Sequence, residues 1–349
     1  MALFTLQLVI LVQQVLYLIL NPGLAGASAA VGVCYGVQGS NLPSPIEVVS
    51  MYQRTQIGRM RLYQPDPWVF EALRHSEIHV MVGVPNQDIQ DLALYYDVAL
   101  DWVTTNIRPY WPDVKFRHIV VGNNAVPGES AEFVLPAIKN LHNVLKDGGL
   151  WHKIKVTTSV PSLVMAQFFP PSAGIFTEES RFYMEPIAHY LHSIGAPLVA
   201  NIYPYFSYVE NPQNTWLPYA LFLKDSPMFT DSGNEYLNLF DATVDALYAA
   251  LEKVGAKELK IVVGETGWPS EGTNEAARDW IAWIYNSNLV KHVLSSKGTP
   301  RRPGKSIETY LFSLFDQDLM LGNEHNSFGL FGPDFRPHYP VDFMQPKGN

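Results

Sequence analysis

The stretch Arg117-His118-Ile119-Val120-Val121-Gly122-Asn123-Asn124-Ala125-Val126-Pro127-Gly128 decides how the chain folds. A β-branched apolar run ends abruptly in polar residues and a Pro-Gly turn. β-Branched side chains favour extended backbone. A continuous apolar run has no solvated face, so the segment reads as a strand buried on both sides. Such a strand delivers its last side chains, Asn123 and Asn124, to the rim of a site.

The same form recurs along the chain. Strands are expected at Val31–Tyr35, Ile57–Tyr63, His79–Val84, Phe116–Gly122, Ile154–Val160, Leu198–Tyr203, Leu259–Gly264 and Tyr310–Phe315. Helical spacing separates them, at Glu47–Gln56, Leu92–Ile107, Ala131–Leu145, Glu178–Ser193, Leu237–Val254 and Asn274–Asn288. Eight strands, each followed by a helix or an irregular segment, indicate an α/β fold with a parallel sheet, a single (β/α)8 TIM barrel. An open doubly wound sheet is the alternative, but no Gly-rich phosphate fingerprint follows any strand. Tyr205–Glu235, rich in aromatic, Pro and Asn residues, falls between strand six and its helix and is expected as a small excursion over the cleft. No Ser/Gly linker or charge run divides the chain, so residues 30–349 read as one domain.

Hydrophobic residues make up 47% and charged residues 16% of the 349, enough for a sizeable core. The aromatic share of 13% is high; surplus Trp and Tyr line carbohydrate clefts, although any single ring is more often core. A net charge of −9 argues against nucleic acid or an anionic membrane surface as partners. Cys34 is the only cysteine, so no intrachain disulfide forms, and its apolar setting marks an inert core thiol. Leu3–Leu20 is mostly apolar but broken by Gln7, Gln13 and Gln14, and Ala27-Ser28-Ala29 fits the small-x-small cleavage rule. Residues 1–29 are therefore read as a secretory signal peptide, although a positively charged start is missing; an uncleaved anchor is the alternative. The expectation is a secreted monomer of the extracellular space or cell wall, with the vacuole as another destination and no membrane association after cleavage.

Barrel enzymes draw catalytic side chains from the C-terminal ends of the strands. Here those positions hold Tyr35, Arg61, Tyr63, Asn123, Asn124, Tyr203, Tyr205, Glu265, Trp268, Asp316 and Gln317. The set contains no His/Cys cluster, so no metal or other cofactor is expected, and the absence of Gly-x-Ser-x-Gly argues against a serine hydrolase. The sharpest element is Ile261-Val262-Val263-Gly264-Glu265-Thr266-Gly267-Trp268-Pro269-Ser270. A carboxylate at the end of an apolar strand is either a buried partner of Arg61 or Arg59, or a nucleophile aimed at a sugar anomeric carbon.

With these motifs the chain resembles the plant endo-β-1,3-glucanases of glycoside hydrolase family 17. The likeness runs through Gly32-Val33-Cys34-Tyr35-Gly36, Asn41-Leu42-Pro43-Ser44-Pro45, Ile57-Gly58-Arg59-Met60-Arg61-Leu62-Tyr63, Gly83-Val84-Pro85-Asn86, Ala200-Asn201-Ile202-Tyr203-Pro204-Tyr205-Phe206, the Glu265 segment and Phe328-Gly329-Leu330-Phe331. It implies a (β/α)8 barrel, an open groove for β-1,3-glucan and retaining hydrolysis by two glutamates. The family nucleophile falls on Glu265. The family acid/base, in a Gly-Asn-Glu motif, falls on Asn124 and is lost. Asn123, implied to bind the sugar 2-hydroxyl, is kept, as is a sugar-facing set of Tyr35, Tyr63, Tyr203, Phe206 and Trp268. Near the last strand the family's supporting Glu and Lys are replaced by Gln317 and Met320, and Glu324 lies near a further family glutamate.

An amide cannot release a proton near neutral pH, and Glu129 and Asp316 are the nearby carboxylates that would have to substitute. Three functions compete: a glucan-binding homologue with weak or absent hydrolysis, a working retaining endo-β-1,3-glucanase, and a protein-interaction role in the same groove, which no residue specifically supports.

Overall fold

The computed structural model describes residues 31–320 and 326–343. The expected signal peptide and Glu324 lie outside the described residues. Eight parallel strands close into a barrel: β1 (Val31–Cys34), β2 (Arg59–Leu62), β3 (His79–Val84), β4 (Lys115–Asn123), β5 (Lys155–Pro161), β6 (Leu198–Asn201), β7 (Ile261–Thr266) and β8 (Thr309–Leu311). They pair in sequence order, and β1 closes the ring on β8 with Val31 opposite Thr309 and Val33 opposite Leu311. This is the (β/α)8 barrel expected from the sequence.

Most strand residues are buried on both faces, which is why most of the runs are apolar throughout; β2 is the exception. Along β2, Met60 and Leu62 are buried with the apolar core, while Arg59 and Arg61, two residues apart, point into the barrel. The interior therefore carries two polar layers. At the strand starts, Arg59 Nη1 lies 3.0 Å from Glu308, Arg117 Nε lies 3.3 Å from it, and Tyr310 Oη donates to it at 2.8 Å. At the strand ends, the second layer gathers around Arg61.

The outer helices start where capping chemistry permits. Asp66 accepts from Trp68 N and Val69 N to open the helix Pro67–Leu73, Thr177 opens Glu178–Ser193, and Asn238 opens Leu239–Lys253. Two expected helices differ. Leu92–Ile107 divides into Ile89–Leu94 and Tyr96–Asn106 because Tyr95 is extended (φ −125°, ψ 113°). Asn274–Asn288 begins later, as Asp279–Leu294, because the Asn274 side chain accepts from Ala276 N and holds the preceding residues in a turn.

The excursion after β6 is present as helices Pro204–Glu210 and Leu217–Ala220 and a hairpin of Phe229–Asp231 with Asn234–Tyr236. Among the described residues, none from Tyr205 to Glu235 lines the cleft at Glu265, although Phe206 flanks it. The hairpin is drawn sideways, where Asp231 accepts from Ser172 N and Oγ at 2.7 Å and the Phe229 ring meets Phe169 at 5.0 Å.

Candidate active site

Glu265 sits inside β7, one residue before its end, and is only 7% exposed. The strand runs two residues beyond the expected Gly264, which fixes the backbone beneath the carboxylate. Gly264 permits the site to close: a Cβ there would lie 2.4 Å from Arg61 Nη1 and 2.4 Å from Val199 Cγ1, inside van der Waals contact.

Four groups hold the carboxylate. Tyr63 Oη donates to Oε1 at 3.0 Å, Asn123 Nδ2 donates to Oε1 at 3.2 Å, and Arg61 Nη1 pairs with Oε1 at 3.3 Å. Tyr203 Oη donates to Oε2 at 2.9 Å. Burial, reinforced by the Glu265 charge, pushes the Tyr203 hydroxyl well above its ordinary pKa, and burial with the Cys34 and Glu265 charges does the same to Tyr63. Both phenols stay protonated and donate. Cys34 lies in the same layer; its Sγ contacts Gly264 O at 3.4 Å, and burial pushes the thiol up to about 12, which leaves it inert as expected.

Arg61 organises the amides around Glu265. Its Nη1 donates to Asn201 Oδ1 at 3.0 Å, and its Nη2 donates to Asn123 Oδ1 at 2.9 Å and Ser159 Oγ at 3.3 Å. Asn201 Nδ2 donates in turn to Asn123 Oδ1 and Asn124 Oδ1, each at 2.9 Å. Asn86 clamps the Asn123 backbone from both sides, accepting from its N at 2.8 Å and donating to its O at 3.0 Å. Each amide therefore has one orientation that satisfies the network.

Asn124 lies just past β4, exposed, with φ +56°. Its backbone N donates to Ser159 O at 3.0 Å. Its Oδ1 is held by Asn201, and Asn124 and Glu265 both line the cleft, a volume of about 250 Å³.

The other expected residues divide into two groups. Tyr35, Tyr63, Asn123, Tyr203 and Gln317 line the cleft with Glu265. Trp268 is fully buried, wedged against Tyr205 and Tyr285 with Nε1 donating to Ala276 O at 2.8 Å, so its expected role as a sugar platform is corrected to that of a support behind β7. Phe206 packs on Tyr203 and Phe328 and flanks the cleft without lining it. Gln317 is buried and ties the loop after β8 to the loop after β1: it accepts from Gln38 N at 3.0 Å and donates to Phe315 O at 3.1 Å. Met320 lines the same wall.

Neither carboxylate considered as a substitute acid lines the cleft. Glu129 is exposed beyond the Pro127 turn, and Asp316 is engaged with His338 Nε2 at 2.9 Å and Gly329 N at 2.8 Å. Asp66 does line it, a position sequence reasoning passed over, but its Oδ1 caps a helix. Sequence reasoning also missed Asn201 and Ser159 as site residues. Their signal was positional, since both stand at or near the ends of barrel strands.

Residues 31–343 match glycosyl hydrolases family 17. The chain belongs to this family. It is 46% identical over 319 residues to a glucan endo-1,3-beta-glucosidase of Vitis vinifera, covering 90% of this chain and 92% of the relative. It is 43% identical over 324 residues to the basic vacuolar isoform GLB of glucan endo-1,3-beta-glucosidase from Nicotiana tabacum, covering 92% and 86%. A solved structure of CJP38, a β-1,3-glucanase and allergen of Cryptomeria japonica pollen, superposes with a TM-score of 0.87 at 42% identity, over 90% of this chain and 99% of that one. Within this family 17 barrel, the hydrogen bonds that pair Glu265 with Arg61 leave its expected role as a nucleophile open, since the carboxylate also lines the cleft.

Proposed function

We propose that this family 17 barrel binds β-1,3-glucan in the cleft above Glu265 and hydrolyses it weakly or not at all. The observation that carries the reading is the amide at Asn124, its Oδ1 held by Asn201, facing the same cleft as a buried and fully positioned Glu265. Retaining hydrolysis uses two carboxyl groups, one to attack and one to protonate the departing sugar oxygen and then activate water. Asn124 can donate a hydrogen bond to that oxygen but cannot give it a proton. General acid–base assistance is worth about 10²–10⁴-fold, and that factor is the expected deficit.

Glucan as the ligand is supported by the names of the relatives and by a cleft rimmed with tyrosines and amides, groups that pack on sugar faces and bond hydroxyls. A second reading, an active retaining endo-β-1,3-glucanase, is favoured by the 46% identity to a glucan endo-1,3-beta-glucosidase and by the intact Glu265 setting. Calorimetry with laminari-oligosaccharides, run beside a reducing-end assay on the same sugars, separates the two. Binding without turnover supports the first reading, and turnover that Asn124→Glu fails to raise supports the second. The chain is further proposed to act as a secreted monomer in the extracellular space or cell wall, with the vacuole, the compartment in the tobacco relative's name, as the alternative. Fractionation and sizing of the expressed protein test that.

A further inference from the structure

We infer that the cleft is a glycosyl-transfer site for β-glucosides whose leaving group departs as a stable anion, a phenolate or a carboxylate, with Asn124 Nδ2 as hydrogen-bond donor to that anion. This rests on the reading of the cleft as a glucan site with Glu265 as its nucleophile.

Two geometric facts carry it. The first is the unequal loading of the Glu265 oxygens. Oε1 receives Tyr63, Asn123 and Arg61, while Oε2 is held by Tyr203 Oη at 2.9 Å. The carboxylate is therefore anchored through Oε1 and attacks through Oε2. The second is the fixed orientation of Asn124. Asn201 Nδ2 donates to its Oδ1 and the residue lines the cleft, so the Nδ2–H donor is the group it has left to offer a ligand there. That is the wrong group for an alkoxide, which needs a proton, and a suitable one for an oxygen that leaves carrying a stable negative charge. Among the described residues, Glu129 and Asp316 do not line the cleft; Asp66 does, with its Oδ1 accepting from Trp68 N and Val69 N at the start of a helix.

The two steps balance without an acid or a base. In the first, an Oε2–C1 bond forms as the C1–O bond to the phenol or acyl group breaks, and the electron pair departs with the phenolate or carboxylate. In the second, an anionic nucleophile such as azide or a carboxylate attacks C1, the C1–Oε2 bond breaks, and the Glu265 carboxylate is restored. Two inversions leave the product in the β configuration. Water is a poor acceptor because Asn124 cannot take its proton, so the glycosyl ester on Glu265 accumulates until an anion arrives.

The test uses the full chain and 2,4-dinitrophenyl β-laminaribioside, with laminaritriose binding measured in parallel. The expected result is a burst of dinitrophenolate near one equivalent per site. A laminaribiosyl mass gain should map to Glu265, and azide should speed turnover by at least about tenfold with a β-glycosyl azide as product. Glu265→Gln should give no adduct. Asn124→Ala should slow the burst by about 10–100-fold, the weight of a hydrogen bond to a charged oxygen. Across a series of aryl laminaribiosides the rate should depend steeply on leaving-group pKa in the natural chain and shallowly in Asn124→Glu. A protein that binds laminaritriose yet forms no adduct would overturn the inference and leave the glucan reading standing, as would an Asn124→Ala burst as fast as that of the natural chain. Failure to bind laminaritriose, together with no adduct, would defeat the glucan reading itself.

Discussion

Asn124→Glu places a carboxyl group where the site now has an amide, and both its benefit and its cost can be worked from the structure. The benefit is general acid–base assistance of about 10²–10⁴-fold, or roughly 3–5.5 kcal/mol off the barrier to glucan hydrolysis. The cost arises because position 124 has φ +56°. Asn tolerates this left-handed region through its short polar side chain, whereas a longer L residue pays about 1–2 kcal/mol to occupy it. The hydrogen bond from Asn201 Nδ2 need not be lost, since a carboxylate oxygen can accept it. In a barrel of this size about 1–2 kcal/mol corresponds to a Tm drop of a few degrees. The variant should therefore melt slightly earlier and release reducing ends from laminaritetraose at least about 100-fold faster. Calorimetry supplies the control. A variant that folds, binds laminaritetraose like the natural chain and still hydrolyses it no faster would refute the claim that the amide is the block. Gln317 and Met320, which also line the cleft, would then be the next positions to change.

Arg61→Met should cost about 3–5 kcal/mol in denaturant unfolding, because it leaves the buried Glu265 carboxylate without its cation and strips donors from Asn123, Asn201 and Ser159. Trp268→Ala should cost about 3–5 kcal/mol by opening a core cavity; a selective loss of glucan affinity in a protein of unchanged Tm would contradict the support role. His338 is held above its ordinary pKa chiefly by its hydrogen bond with Asp316. Its contribution to stability is thus complete below the unfolded value of 6.5 and fades as pH rises through the raised folded value, and a His338→Ala unfolding series across that window should lose the slope. His118 behaves oppositely: burial, with Glu308 opposing and Arg117, Arg59 and Lys155 assisting, pushes it down to about 4. The unfolded chain then binds the proton first, so stability should fall by on the order of 3 kcal/mol between pH 6.5 and about 4, and His118→Gln should abolish that decline.

The barrel was legible because parallel strands buried on both faces leave unbroken apolar runs, and all eight were found within a few residues. Their ends were less so. Phe312-Ser313-Leu314-Phe315 extends the largely apolar run of β8, yet the strand stops at Leu311; the backbone beyond it bonds to Thr266, Phe328 and Cys34, and Phe315 bridges to Phe331 instead of continuing the barrel ladder. Tyr95 breaks a helix with neither Pro nor Gly to announce it. Within the site, Glu265 and the tyrosines could be read from position at strand ends. Trp268 could not, because its burial depends on Tyr205 and Tyr285, residues from two other segments whose approach no local pattern reveals. Arg61 was seen as a candidate partner for Glu265; what the sequence could not show is that the same guanidinium also orders three neutral side chains on other strands.

That network bears on why an amide at position 124 is compatible with an otherwise intact site. Arg61 is the cation that touches Glu265, and it is already shared with Asn123, Asn201 and Ser159. A second carboxylate in the same cleft would add a negative charge that this one guanidinium must also offset, and it would do so from a backbone conformation that disfavours long side chains. Asn124 removes both penalties while keeping the hydrogen bond from Asn201. An amide at this position is therefore expected to stabilise the barrel relative to a glutamate, with turnover reduced if position 124 carries the acid as proposed. It also leaves Glu265, its four partners and the cleft-lining tyrosines undisturbed, since none of the four groups that hold the carboxylate depends on a charge at position 124. On the proposed reading, the amide at position 124 and the setting of Glu265 are independent in this fold, so only chemistry that needs a second carboxyl group should be impaired.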